Sequence, residues 1–104
     1  MQNPKENNSK KRTKIEVIAD IIKILQEKKG KIKPTHLMYK ANLSHKTLKT
    51  YVNELESRGL IKISKIKDKW KDPTKKNLIE ITEKGNSFYN EYSKMKEFEK
   101  TFGL

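Results

Sequence analysis

Six side chains within nine residues carry the chemistry most worth following in this chain: His45, Lys46, Thr47, Lys49, Thr50 and Asn53. Set as a helix, the segment gathers Leu48, Val52 and Leu55 on one face, with Tyr51 at its edge, and that face must turn inward. The six polar residues are then left outward, clustered toward the N-terminal half. A lysine ammonium pairs with a phosphate or with the acceptors of a guanine edge. An asparagine carboxamide fits an adenine edge with two hydrogen bonds, and a threonine methyl meets a thymine methyl. Lys46 and Lys49 suit the first role, Asn53 the second, Thr47 or Thr50 the third. Seen alone, the same face would pass for an ordinary solvated helix side, so its surroundings have to decide.

Those surroundings are basic. Between Leu60 and Asn77 stand seven lysines, opposed only by Asp68 and Asp72. Within residues 67–76, Lys67, Lys69, Lys71, Lys75 and Lys76 are the candidates for gripping phosphates beside a groove that the helix enters. Trp70, at the centre of that loop, either lies against sugars or a minor groove, or folds back over the domain. From Met1 to Lys14 five basic residues face Glu6 alone. Such an arm can follow phosphates or reach into a minor groove, or remain a solvated tail. The net charge of +12 over 104 residues points to an acidic partner, with double-stranded nucleic acid the first candidate.

No catalytic residue, metal site or cofactor is expected. The chain has no cysteine, which removes disulfides, thiolate metal sites and cysteine nucleophiles. His36 and His45 stand nine apart without an acidic partner at ligand spacing, and no glycine-rich phosphate loop is present. His36 reads as a surface residue. No apolar run approaches the ~20 residues needed to span a bilayer, and the start, MQNPKENNSKKR, lacks the hydrophobic segment of a secretory leader. The expected setting is the cytoplasm, at the nucleoid.

The elements that would position these groups can be read from periodicity. Residues 1–12 show none and are expected to form a disordered basic arm. Ile15, Ile18, Ile22 and Leu25 recur at helical spacing with Ala19 and Ile21 beside them, predicting a helix over about 13–29 that Gly30 ends in the left-handed conformation. Val17 and Ile24 widen the stripe, and either meet the C-terminal helix or stay exposed. Residues 31–33 read as an extended link, since Pro34 disfavours helix at Lys33. A second helix runs from Pro34 or Thr35 to about Ala41, with Leu37, Met38 and Ala41 inward. Asn42 and Leu43 turn the chain, Ser44 caps the third helix, and Gly59 stops it near Arg58. Residues 60–66 and 77–82 read as a hairpin around the charged loop, with Ile79 and Ile81 on one face. Thr82 caps a last helix, where Glu83 suits the N-terminal dipole. The order α-α-α-β-β-α is mainly α with a small β-hairpin: a winged helix-turn-helix domain over residues 13–82.

Residues 83–104 differ in character. Four glutamates balance four lysines, so phosphate binding is not the expectation. Phe88, Tyr92, Met95 and Phe102 follow a helical stripe that Glu99 interrupts, with Tyr89 and Phe98 nearby. A helix of this length reaches about 33 Å at ~1.5 Å per residue, more than a small core covers. A dimerisation helix, pairing two copies through Phe88, Tyr92, Met95, Phe98 and Phe102 as a short coiled coil, is the favoured reading. Packing onto its own domain is the alternative.

The stretch HLMYKANLSHKTLKTYVNELESRGLI, followed by LIEITEKGNSFYNEY, resembles archaeal winged-helix DNA-binding proteins. MYKANLS, RGLI and ITEKG carry the likeness, which extends over about residues 13–100. Small chromatin-associated members of this group dimerise through a C-terminal antiparallel coiled coil. The resemblance therefore implies a DNA-binding homodimer, with the third helix in the major groove and the wing alongside. Three roles stay open: a transcriptional regulator, a sequence-tolerant chromatin protein, and an adaptor that uses the fold without DNA. The basic wing and arm oppose the last.

Overall fold

The computed structural model of the chain describes residues 11–65 and 77–104. Helix α1 (Lys14–Glu27) opens on a reciprocal cap. The Thr13 hydroxyl accepts from the Glu16 N–H at 3.2 Å, and the Glu16 carboxylate accepts from the Thr13 N–H at 2.7 Å. Two donors that a helix start would leave open are satisfied in this way. The chain leaves α1 through Lys29 and Gly30, both at positive φ. It then enters a strand, β1 (Lys31–Ile32), where the sequence pattern suggested only a link. Helices α2 (Pro34–Lys40) and α3 (His45–Ser57) follow, joined by a turn in which Asn42 takes a φ of 56°. Ser44 caps α3 by accepting from the Thr47 N–H at 3.1 Å.

Strands β2 (Ile61–Lys65) and β3 (Asn77–Ile81) pair antiparallel as the expected hairpin, and β1 adds to the far edge of β3. The sheet is thus three-stranded, in the order β1-β3-β2. Its register sets Lys31 and Lys62 on either side of Glu80. The Ser64 hydroxyl hydrogen-bonds the Glu80 carboxylate and, with the two lysines, holds that carboxyl below its ordinary range.

One core unites the helices and the sheet. Ile21, Ile22, Leu25, Leu37, Leu55, Ile61 and Ile79 are its fully buried members. Helix α1 lies at the centre, and the structure corrects the expected inward position of Ile15 while deciding the open alternative at Val17 and Ile24 in favour of burial. Val17 and Ile24 are buried, whereas Ile15 is 44% exposed. The reason is tertiary: α1 packs against α2 and the sheet and also against the last helix, α4 (Glu83–Phe102). The two long helices run antiparallel. The Gln26 amide donates to the Asn86 Oδ1 at 2.9 Å toward one end, and Glu16 helps to raise the Lys96 pKa toward the other, after the larger effect of Glu99.

A joint ties α4 to the end of α3. Gly59 leaves α3 at a φ of 78°, which favours glycine. Its carbonyl accepts from the Thr82 hydroxyl at 2.6 Å, and the Leu60 carbonyl accepts from the Thr82 N–H at 3.3 Å. The same hydroxyl caps α4 by accepting from the Gly85 N–H at 3.0 Å. A β-carbon on Gly85 would stand 2.3 Å from the Leu60 carbonyl oxygen, so the backbones meet there without room for a side chain. The RGLI and ITEKG segments are two halves of this one joint.

Candidate nucleic-acid interface

Helix α3 is rotated by its core face, as its sequence demands: Leu48, Val52 and Leu55 are buried. His45, Lys46, Thr47, Lys49, Thr50 and Asn53 are all exposed. Their side chains do not offer equal chemistry. The Thr50 hydroxyl donates to the Lys46 carbonyl at 3.1 Å, and the Thr47 hydroxyl accepts from Ser44 Oγ at 2.9 Å. The Thr50 proton is therefore committed to its own helix, whereas Thr47 only accepts and keeps its proton to donate. Hydrogen bonding to an external partner falls mainly to His45, Lys46, Thr47, Lys49 and Asn53. Of these, His45, Lys49 and Asn53 recur one helical turn apart and border a groove between α2, α3 and the sheet.

The position of α3 is fixed from its far end as well. Glu54 receives Lys14 Nζ at 2.7 Å and Arg58 Nε at 3.1 Å. The hydrogen bond from Lys14, reinforced by Arg58, holds the Glu54 carboxyl below its ordinary range. Because Lys14 opens α1, this cluster links the first turn of one helix to the last turns of the other.

Two features beside α3 were not drawn from the sequence pattern. Arg12 donates to Asp20 Oδ2 at 2.8 Å and to the Asn42 carbonyl at 3.2 Å. The end of the basic arm is thereby fastened to the turn that precedes α3. Nothing in periodicity relates residue 12 to residue 42. Tyr39 on α2 is 73% exposed, although Leu37 and Ala41 to either side are buried. The stripe that placed those two inward is the signal that could have found Tyr39 outward.

The hairpin closes at the Lys65–Asn77 pair. The wing candidates Lys67, Lys69, Lys71, Lys75 and Lys76, together with Trp70, lie outside the described residues, as do Lys5 and Lys10 of the arm. On α4, Phe88 and Tyr89 are partly buried against the core, and Phe88 stacks on Tyr92 with ring centroids 6.1 Å apart. Farther along, Met95, Phe98 and Phe102 are 43%, 49% and 68% exposed, and the two phenylalanines meet edge to face at 4.9 Å. No helix among the described residues is long and apolar enough to cross a membrane.

Comparison with known proteins agrees with this architecture. An uncharacterized protein of Methanocaldococcus jannaschii is 34% identical over 88 residues, covering 85% of this chain and 77% of that protein. Among solved structures, Sso10a-2, a DNA-binding protein from Sulfolobus solfataricus, superposes with a TM-score of 0.69 at 21% identity, over 88% of this chain and 85% of its own. The transcriptional regulator BldR from Sulfolobus solfataricus gives a TM-score of 0.65 at 20% identity, over 84% of this chain and 60% of its own. The family model described as winged helix-turn-helix matches residues 11–100, and the chain belongs to that family.

Proposed function

We propose that the protein binds double-stranded DNA as a homodimer and acts as a transcriptional regulator, with α3 in the major groove and the 67–76 wing on the backbone. The observation that carries this reading is the division of α3: a buried apolar face that fixes its rotation, and an opposite face bearing a histidine and two lysines in the N-terminal half, with an asparagine one turn beyond Lys49. Recognition helices present base-reading groups from that half. The fastening of Arg12 to the carbonyl of Asn42 sets the last residue of the basic arm beside the turn that leads into α3. The names of the folds it matches, a DNA-binding protein and a transcriptional regulator, support the same class of partner. This is a non-enzymatic binding role.

Fluorescence anisotropy with a labelled duplex tests it. Lys46→Ala combined with Lys49→Ala is expected to weaken binding about 10- to 100-fold at moderate salt, and to lower the slope of log affinity against log salt by about 2. Unchanged affinity would remove α3 from the interface.

A second reading, sequence-tolerant chromatin binding, is favoured by one detail. With the Thr50 hydroxyl donating within the helix, fewer groups remain to read bases, and two of those are lysines suited to phosphate. Equal affinity for genomic and scrambled duplexes would support it over the regulator.

A further inference from the structure

Between α2, α3 and the sheet lies a groove of about 300 Å³. Its floor is apolar, formed by Leu48 and Val52 of α3 with Ile63 and Ile79 of the sheet. Its mouth carries His45, Lys49 and Asn53. Small-molecule sites have this pattern of an apolar interior with a few convergent polar groups, and about 300 Å³ is the lower end of their range. At roughly 30 Å³ for each water-sized group, the space holds on the order of ten non-hydrogen atoms.

The charge of the site selects among such molecules. The described lining contains Lys49 and no carboxylate. Among the described residues Lys49 has no ion-pair partner of its own. A single ammonium at the edge of an apolar recess favours one negative charge on a compact apolar body, and Asn53 can donate a second hydrogen bond to the same head. A phosphate dianion would ask for more cations than the described residues of this rim supply.

We propose that this groove is a binding site for a small monocarboxylate with a compact apolar body, and that its occupancy excludes DNA. The body rests on Leu48, Val52, Ile63 and Ile79, while the carboxylate takes Lys49 and Asn53, two of the groups that α3 would offer to the duplex. The exclusion rests on the proposed DNA-binding role of α3, whereas binding of the acid does not. Exclusion follows from linkage: at an acid concentration ten times its Kd, apparent DNA affinity falls about elevenfold.

The test uses the full chain without DNA, titrated with cyclohexanecarboxylate and, separately, with its neutral isostere cyclohexanecarboxamide, while backbone amide shifts are followed by NMR. The acid is expected to move amides of α2, α3 and the two hairpin strands, and to bind about tenfold more tightly than the amide. Ile63→Phe, which fills the floor from β2, is expected to lose acid binding and keep DNA binding. If that variant does not fold, the shift map of the unaltered protein locates the site instead. Saturating acid should then displace a labelled duplex. No binding of the acid up to about 10 mM, equal binding of acid and amide, or shifts confined to another part of the molecule would overturn the site. Undiminished DNA affinity in saturating acid would overturn the exclusion. A chain that binds the acid at this groove but binds no duplex would refute the proposed function and uphold the groove.

Discussion

Replacing Gly85 with alanine adds one methyl group at the joint between α3 and α4. The new carbon would stand 2.3 Å from the Leu60 carbonyl oxygen and 3.0 Å from the Ile81 side chain. An ordinary carbon–oxygen contact lies near 3.3 Å or beyond, so α4 must retreat by roughly 1 Å. Overpacking of this kind costs about 1–3 kcal/mol. The retreat also stretches the Thr82 bonds to Gly59 and Leu60, and a weakened hydrogen bond contributes about 1 kcal/mol more. Alanine's helix preference offsets up to about 1 kcal/mol. The net expectation, with that offset applied in full, is a loss of about 1–3 kcal/mol. With a urea m-value of about 1.5 kcal/mol/M, the unfolding midpoint falls by roughly 0.7–2 M. Gly59→Ala is the control. Its β-carbon would meet nothing closer than Lys84 Cδ at 3.7 Å, so its cost is that of a left-handed backbone alone, about 1–2 kcal/mol. A Gly85→Ala midpoint equal to or above that of the parent would refute the steric account, because helix preference would then have decided the outcome.

Other consequences can be measured independently. Phe98→Ser with Phe102→Ser should convert a dimer into a monomer in sedimentation and remove the concentration dependence of the unfolding midpoint that association confers, since both rings are exposed in the single chain; an unaltered oligomeric state would exclude this end of α4 as the interface. The depressed Glu54 carboxyl stabilises the native state above the ordinary carboxylate pKa, and that contribution disappears as pH falls through the lower native value. Glu54→Gln should therefore be less stable than the parent near neutrality and converge with it in acid; parallel pH profiles would contradict the Lys14–Glu54 linkage. Deleting residues 1–11 removes Lys5, Lys10 and Lys11 and should reduce the salt slope of DNA binding by up to about 3; an unchanged slope would make the arm a bystander.

Much of the candidate interface was legible because local rules and tertiary packing agree there. Leu48, Val52 and Leu55 recur at helical spacing and are buried, Ser44 and Thr82 are good caps and do cap, and Gly59 ends α3 where a positive φ is required. What the pattern missed depends on distant partners. Residues 31 and 32 are too few to show alternation, and they become a strand only because β3 supplies the hydrogen bonds. The exposure of Ile15, and the burial that settles the alternative left open at Val17 and Ile24, reflect a helix covered from more than one side, a condition that a single apolar stripe does not encode. Gly85 looked like an ordinary residue of a helix start, and its reason lies in the carbonyl of Leu60.

The joint also works as a caliper. Main-chain groups and the short Thr82 hydroxyl, rather than long side chains, hold the start of α4 to the end of α3, so the angle between those helices has little freedom to drift. If two copies meet along α4, the separation and rotational phase of their two α3 helices are set by this short stretch of main chain. The spacing of half-sites along a duplex would then be dictated by Gly59, Thr82 and Gly85, three residues beyond the C-terminal end of α3.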